Sequence, residues 1–148
     1  MVAELRESGI RVFTRSRRIL IVDDHVDSAD LAAELLQERG HVTCVSYGSR
    51  AAIVAAVNFQ PQIALLDIDL PTMNGYELVT HLRATALLSA CRFIAVTGNA
   101  DEMDRRESEA AGFYRHLVKP FGEAALFEVV DCDDSGPNCA PPQGWSVG

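Results

Sequence analysis

Ile19-Leu20-Ile21-Val22-Asp23-Asp24 is an apolar run that stops on two carboxylates. Four aliphatic residues, three of them β-branched, are too short for a helix and read as a strand buried on both faces. The pattern recurs. Ile63-Ala64-Leu65-Leu66 stops on Asp67, Phe93-Ile94-Ala95-Val96 on Thr97, and Phe113–Val118 on Lys119. His41–Tyr47 alternates through Val42, Cys44 and Val45 and ends on Tyr47-Gly48, which offers no reactive group. Helical patterns separate the runs. Asp27–Gly40 has Asp27 or Ser28 as its cap, an apolar face of Leu31, Leu35 and Leu36, and Gly40 as its stop. Ser49–Asn58, Tyr76–Ala84, Asp101–Ala111 (closed by Gly112) and Gly122–Val130 follow. Five strands alternating with helices predict an α/β fold: a doubly wound parallel sheet with helices on both faces.

The chain has 148 residues, one domain's length, and a formal net charge of -8. An acidic chain repels phosphate backbones, so generic nucleic-acid binding is disfavoured. The longest strictly apolar run, Ala51–Val57, falls far short of the roughly 18 residues of a membrane span. Charged residues Glu4, Arg6, Glu7 and Arg11 replace the apolar stretch of a secretory signal, which points to the cytoplasm. Residues 1–17 read as a polar, locally basic arm without sustained period, 18–131 as the domain, and 132–148 as a Gly/Pro-rich flexible tail carrying Trp145. Cys44, Cys91, Cys132 and Cys139 form no Cys-x-x-Cys pair, and no histidine gives a zinc spacing; all four read as structural or incidental.

Ligands of open α/β sheets bind outside the carboxyl ends of the strands. Four of the five strands deliver Asp23, Asp24, Asp67, Thr97 and Lys119 to that edge. An aspartate after a strand is often a turn residue or helix cap; the shared register of all four units favours a common site. Lys119 is also the single lysine among 13 cationic residues. A compact ammonium suits one phosphate, where arginine would be a planar fork. Crowded carboxylates repel unless a cation joins them. Mg²⁺ (or Mn²⁺) takes oxygen ligands, including one or two carboxylates and a phosphate. Phosphoryl transfer fits: Asp67 as the nucleophile that forms an acyl phosphate, Lys119 neutralising the phosphoryl oxygens, Thr97 donating a hydrogen bond.

With these segments in view, the chain resembles a response-regulator receiver domain of the chemotaxis-regulator type. The matching segments are Ile19–Asp24, Leu65–Pro71 with Met73-Asn74-Gly75, Ala95–Gly98, and His116–Pro120. The resemblance covers about residues 18–130. It implies a flavodoxin-like strand order 2-1-3-4-5. It implies that Asp67 takes a phosphoryl group from a sensor histidine kinase or a histidine phosphotransfer protein. Asp23, Asp24, Asp67 and the backbone carbonyl of Asp69 would hold the metal, and Thr97, Gly98 and Lys119 would face the phosphoryl group. Thr97 and His116 would be the switch residues, and the Lys119–Pro120 bond would be cis. Gly98 would leave the phosphoryl path open. Asp69 and Asn99 would tune hydrolysis of the acyl phosphate, with the sign for Asp69 open. Such a domain is a signalling switch for a downstream protein partner or fused output rather than a turnover enzyme.

His116 departs from the Tyr or Phe often found there; it is either a smaller switch ring or simply a strand histidine. The Gly112–Pro120 segment is similar to receivers attached to hybrid kinases. His25 reads as a surface loop residue, since Mg²⁺ prefers oxygen. The charge run Asp101–Glu109 reads as a solvated helix face. Two rival readings remain. Leu66-Asp67-Ile68-Asp69 also fits the nucleophile motif of haloacid-dehalogenase-like phosphohydrolases, although there the acidic pair comes late in the chain. A receiver-like scaffold that has lost its switch is the other.

Overall fold

The five apolar runs lie side by side because each can bury both faces only inside a covered parallel sheet. The computed structural model describes residues 2–5, 11–14, 16–98 and 111–131. The strands of the sheet are β3 (Arg18–Val22), β4 (Val42–Ser46), β5 (Ile63–Asp67), β6 (Arg92–Thr97) and β7 (Phe113–Val118). Their order, β4-β3-β5-β6-β7, is the expected 2-1-3-4-5, and every pairing is parallel. Two further strands, β1 (Val2–Leu5) and β2 (Arg11–Thr14), pair antiparallel with Val2 opposite Thr14. The sequence predicts no regular element there; runs of four residues are too short to show a period against their polar neighbours. Asn99, the tail from 132 onward, and all but the last residue of the helix expected over Asp101–Ala111 lie outside the described residues.

Four helices are described: α1 (Val26–Glu38), α2 (Ser49–Phe59), α3 (Gly75–Arg83) and α4 (Glu123–Asp131). Alternate residues of each strand feed two core layers. Ile19, Ile21, Ile63, Leu65, Ile94 and Val96 pack under α1 and α4. Leu20, Val22, Ala64, Leu66, Phe93 and Ala95 pack under α2 and α3. Between Phe93 and Ile94 the β6–β7 register slips, leaving Tyr114 as an extra residue. This bulge lets Phe113 join one layer and Leu117 the other.

Helix α1 corrects two expectations. Its cap is His25, whose Nδ1 accepts from the Ser28 amide; Asp27 sits in the first turn. Its buried stripe is Ala29, Ala32, Ala33 and Leu36, while Leu31 is 56% exposed. Small side chains let the helix lie close to the sheet, and the larger Leu31 is turned outward. Helix α3 starts as its sequence dictates, with Asn74 accepting from the Glu77 amide at 3.0 Å. Helix α2 stops at Gln60, which adopts a left-handed φ of 51° just before Pro61.

Candidate functional site

Parallel pairing fixes which side chains meet. Val22 pairs with Leu66, Asp67 with Val96, and Thr97 with Val118. Residues one step beyond these pairs therefore share one edge of the sheet. Asp23, Asp24 and Asp67 each bring a carboxylate oxygen within 4.8 Å of the others. Asp23 and Asp67 are buried, and Asp24 is exposed. From β7, the Lys119 ammonium donates to Asp23 Oδ2 at 2.6 Å and to Asp67 Oδ2 at 3.4 Å. Thr97 is buried at the end of β6, where its carbonyl accepts the Lys119 amide at 2.7 Å. The Lys119–Pro120 bond is cis, as the resemblance implied.

The electrostatics follow from burial. Desolvation pushes the Asp67 carboxyl up to about 6; the Asp69 amide and the Lys119 charge pull it back, and Asp23 adds to the rise. Burial works against the Lys119 ammonium, but the hydrogen bond to Asp23 and the charges of Asp67 and Asp23 outweigh it and hold it above its ordinary value. Three carboxylates against one ammonium leave an excess of negative charge on hard oxygen donors. That donor set fits Mg²⁺ or Mn²⁺ and suits no soft metal.

Backbone groups complete the site. The Asp69 amide donates to Asp67 Oδ1 at 2.9 Å, and the His25 amide donates to Asp23 Oδ1 at 2.9 Å. The Asp69 residue itself is exposed, as is Gly98, where an added Cβ would meet no atom within 4 Å. His116 is half-buried in β7 opposite Ala95. Sequence reasoning missed Gly75. A Cβ there would lie 2.7 Å from the Asp67 carbonyl oxygen and 2.7 Å from Ile68 Cα, so only glycine lets α3 start against the end of β5. The Asn74-Gly75 pair was visible, but its spatial partner was not. His25 was likewise read as a loop residue, because imidazole is an uncommon cap. Among the described cysteines, Cys44 and Cys91 are free thiols; burial raises Cys44 and pushes Cys91 up to about 12, in keeping with a packing role.

Residues 19–131 match the family described as response regulator receiver domain. An uncharacterized 14.6 kDa protein of Leptolyngbya boryana is 30% identical over 76% of this chain and 86% of its own length. Protein PilH of Pseudomonas aeruginosa is 29% identical over 77% of this chain and 94% of its own. The DNA-binding response regulator MtrA of Mycobacterium tuberculosis is 32% identical over 79% of this chain, which spans half of that protein. Among solved structures, a CheY-like receiver domain protein of Methanospirillum hungatei superposes with a TM-score of 0.72 at 29% identity, covering 78% of this chain and 91% of that one. The chemotaxis regulator CheY4 of Vibrio cholerae shares the fold with a TM-score of 0.74 at 23% identity, covering 78% and 97%.

Proposed function

Because this chain belongs to the response regulator receiver domain family, we propose that it is a phosphorylation-operated switch whose acceptor is Asp67. Family membership favours a switch over the phosphohydrolase reading. One observation carries the rest: a buried carboxylate at a strand end, shared with two further carboxylates and faced by the chain's single lysine ammonium at 3.4 Å.

The donor is the phosphohistidine of a sensor histidine kinase or phosphotransfer protein in the cytoplasm. An Asp67 carboxylate oxygen attacks phosphorus, the new O–P bond forms, and the P–N bond breaks. The donor imidazole leaves with the electron pair and takes up a proton. Asp23, Asp24, Asp67 and the Asp69 carbonyl would hold Mg²⁺, which supplies charge neutralisation at the phosphoryl oxygens. Lys119 neutralises them from β7, and Thr97 donates to one of them. Gly98 keeps the approach open, since nothing stands where its side chain would be. A phosphoryl group carries roughly -1.5 to -2 charge. Drawing Lys119 and Thr97 onto it shifts the ends of β6 and β7, and with them His116; a downstream protein partner or fused output reads that change. Asp69 and Asn99 set how fast the acyl phosphate hydrolyses.

Beside the site, Ser28, Leu31, Ala32, Leu35, Lys119, Pro120 and Phe121 line a cleft of about 230 Å³. A donor protein seated there brings its phosphohistidine to the ammonium. The test is incubation with Mg²⁺ and a small acyl phosphate, read by mass spectrometry. One phosphoryl group per chain is expected, located on Asp67 and absent from Asp67→Asn. No uptake would indicate a scaffold without a switch. Continued turnover of a small phosphoester would indicate a hydrolase.

A further inference from the structure

A second buried polar cluster lies at the opposite edge of the sheet, where β3 and β4 begin, and the phosphoryl-transfer reading leaves it without a role. Its centre is His41, whose side chain is 0% exposed. His41 Nδ1 accepts the Arg17 amide proton at 3.1 Å. A ring nitrogen that accepts from an amide must carry its lone pair, so the ring proton sits on Nε2. Nε2 lies 3.1 Å from Asp131 Oδ1 and donates to it. One neutral imidazole therefore ties the residue before β3 to the last residue of α4, 90 positions away from the ring.

The charged groups around the ring come from three elements. Helix α1 is capped at its C-terminus by Arg39, whose Nε meets Asp131 Oδ2 at 2.5 Å while its guanidinium stacks over the Phe127 ring at 4.6 Å. Helix α4 contributes Asp131. The lead-in to β3 contributes Arg17, itself buried, whose carbonyl accepts the Val42 amide at 2.9 Å. The next residue, Arg18, directs its Nε to the Gln60 carbonyl.

We propose that His41 is a proton-operated latch on the segment that joins the β1–β2 ribbon to the sheet. A proton from a solvent acid binds the Nδ1 lone pair, giving an imidazolium. Two N–H groups, Nδ1–H and the Arg17 amide, then face each other, and that contact breaks. The Nε2–H hold on Asp131 strengthens, because donor and acceptor are now both charged. Acid therefore frees the chain entering β3 and leaves α4 anchored. The latch stands apart from Asp67 and does not rest on its phosphorylation.

The test uses the full chain in solution NMR. Long-range proton–nitrogen spectra at pH 8 should show the Nε2–H tautomer of His41. As the ring gains its second proton, hydrogen-exchange protection of the Arg17 amide should fall about tenfold or more, while that of Leu20 in the middle of β3 holds. In His41→Asn the side-chain carbonyl takes over as acceptor and has no proton to gain, so Arg17 protection should stay level with pH. An Nδ1–H tautomer, a ring that stays neutral down to global unfolding, or Arg17 protection that ignores the titration would each overturn the latch. Should His41→Asn fail to fold, the wild-type tautomer and exchange data decide alone.

Discussion

Asp67 is costly to keep ionised inside the protein, and that cost has a measurable sign. Its carboxyl is pushed up to about 6 from an ordinary 3.8. A group whose folded value is raised contributes its full stability below the unfolded value and loses it as pH rises through the folded one. Without divalent metal, Asp67→Asn should therefore stabilise the protein by about 2 kcal/mol at pH 8 and by little at pH 4, as thermal melts in a chelator would record. No gain at pH 8 would contradict the raised, buried carboxyl. With Asp67 as the proposed acceptor, the same substitution should remove phosphoryl uptake, so stability and function are expected to move in opposite directions at this residue. That opposition marks a side chain kept for chemistry. The residue types were legible in the sequence because each follows an apolar run. The amides of His25 and Asp69 that hold the carboxylates were not, since a backbone donor leaves no trace in residue identity.

At the scale of elements, each helix end is tied by a different device. Gly75 brings α3 against the Asp67 carbonyl, and a methyl group there would meet backbone at 2.7 Å. Gly75→Ala should cost roughly 1–3 kcal/mol in a denaturant titration and slow labelling of Asp67, because the acceptor strand moves with the helix. The outward turn of Leu31 on α1 makes a different prediction. Leu31→Asp should reduce phosphoryl transfer from a cognate kinase by about tenfold or more while leaving uptake from a small acyl phosphate intact. Equal loss with both donors would place the defect in the site instead. At the far end of α4, burial acts against the charged Asp131, but hydrogen bonds from His41 and Arg39 outweigh it and hold the carboxyl below its usual range. That contribution is present above the ordinary carboxylate value and lost as pH falls through the depressed one. Asp131→Asn should thus destabilise by about 1–2 kcal/mol at pH 7, with the difference closing in acid. Strands were easier to read than helices here. Both faces of a buried strand are apolar, whereas the α1 stripe is mostly alanine and Leu31 faces outward. The His41–Asp131 pair was invisible for a simpler reason: nothing local links residues 90 positions apart.

For the molecule as a whole, the sheet sorts its chemistry by edge. Strand carboxyl ends hold the acidic site, and strand starts hold the His41 cluster. The strand order was legible only through the resemblance, because alternation alone does not say which strand is central. The register slip at Tyr114 was not legible at all, since an uninterrupted run gives no signal of an extra residue. Divalent metal should couple the acidic edge to global stability. At a Mg²⁺ concentration about 100 times its dissociation constant, unfolding should become harder by roughly 2.7 kcal/mol, reversibly on chelation. Asp24→Ala should lose most of that increment, because the exposed carboxylate is the one best placed to meet an incoming ion. A wild-type melt indifferent to Mg²⁺ would remove the metal from the account.

The solitary lysine has an analytical use. Any amine-directed acylating reagent has one side-chain target in this molecule, and that nitrogen is clasped by Asp23 and Asp67. Its acylation rate is therefore a direct gauge of whatever competes for those two carboxylates. Chemical modification followed over time would report the occupancy of the pocket without a spectroscopic tag.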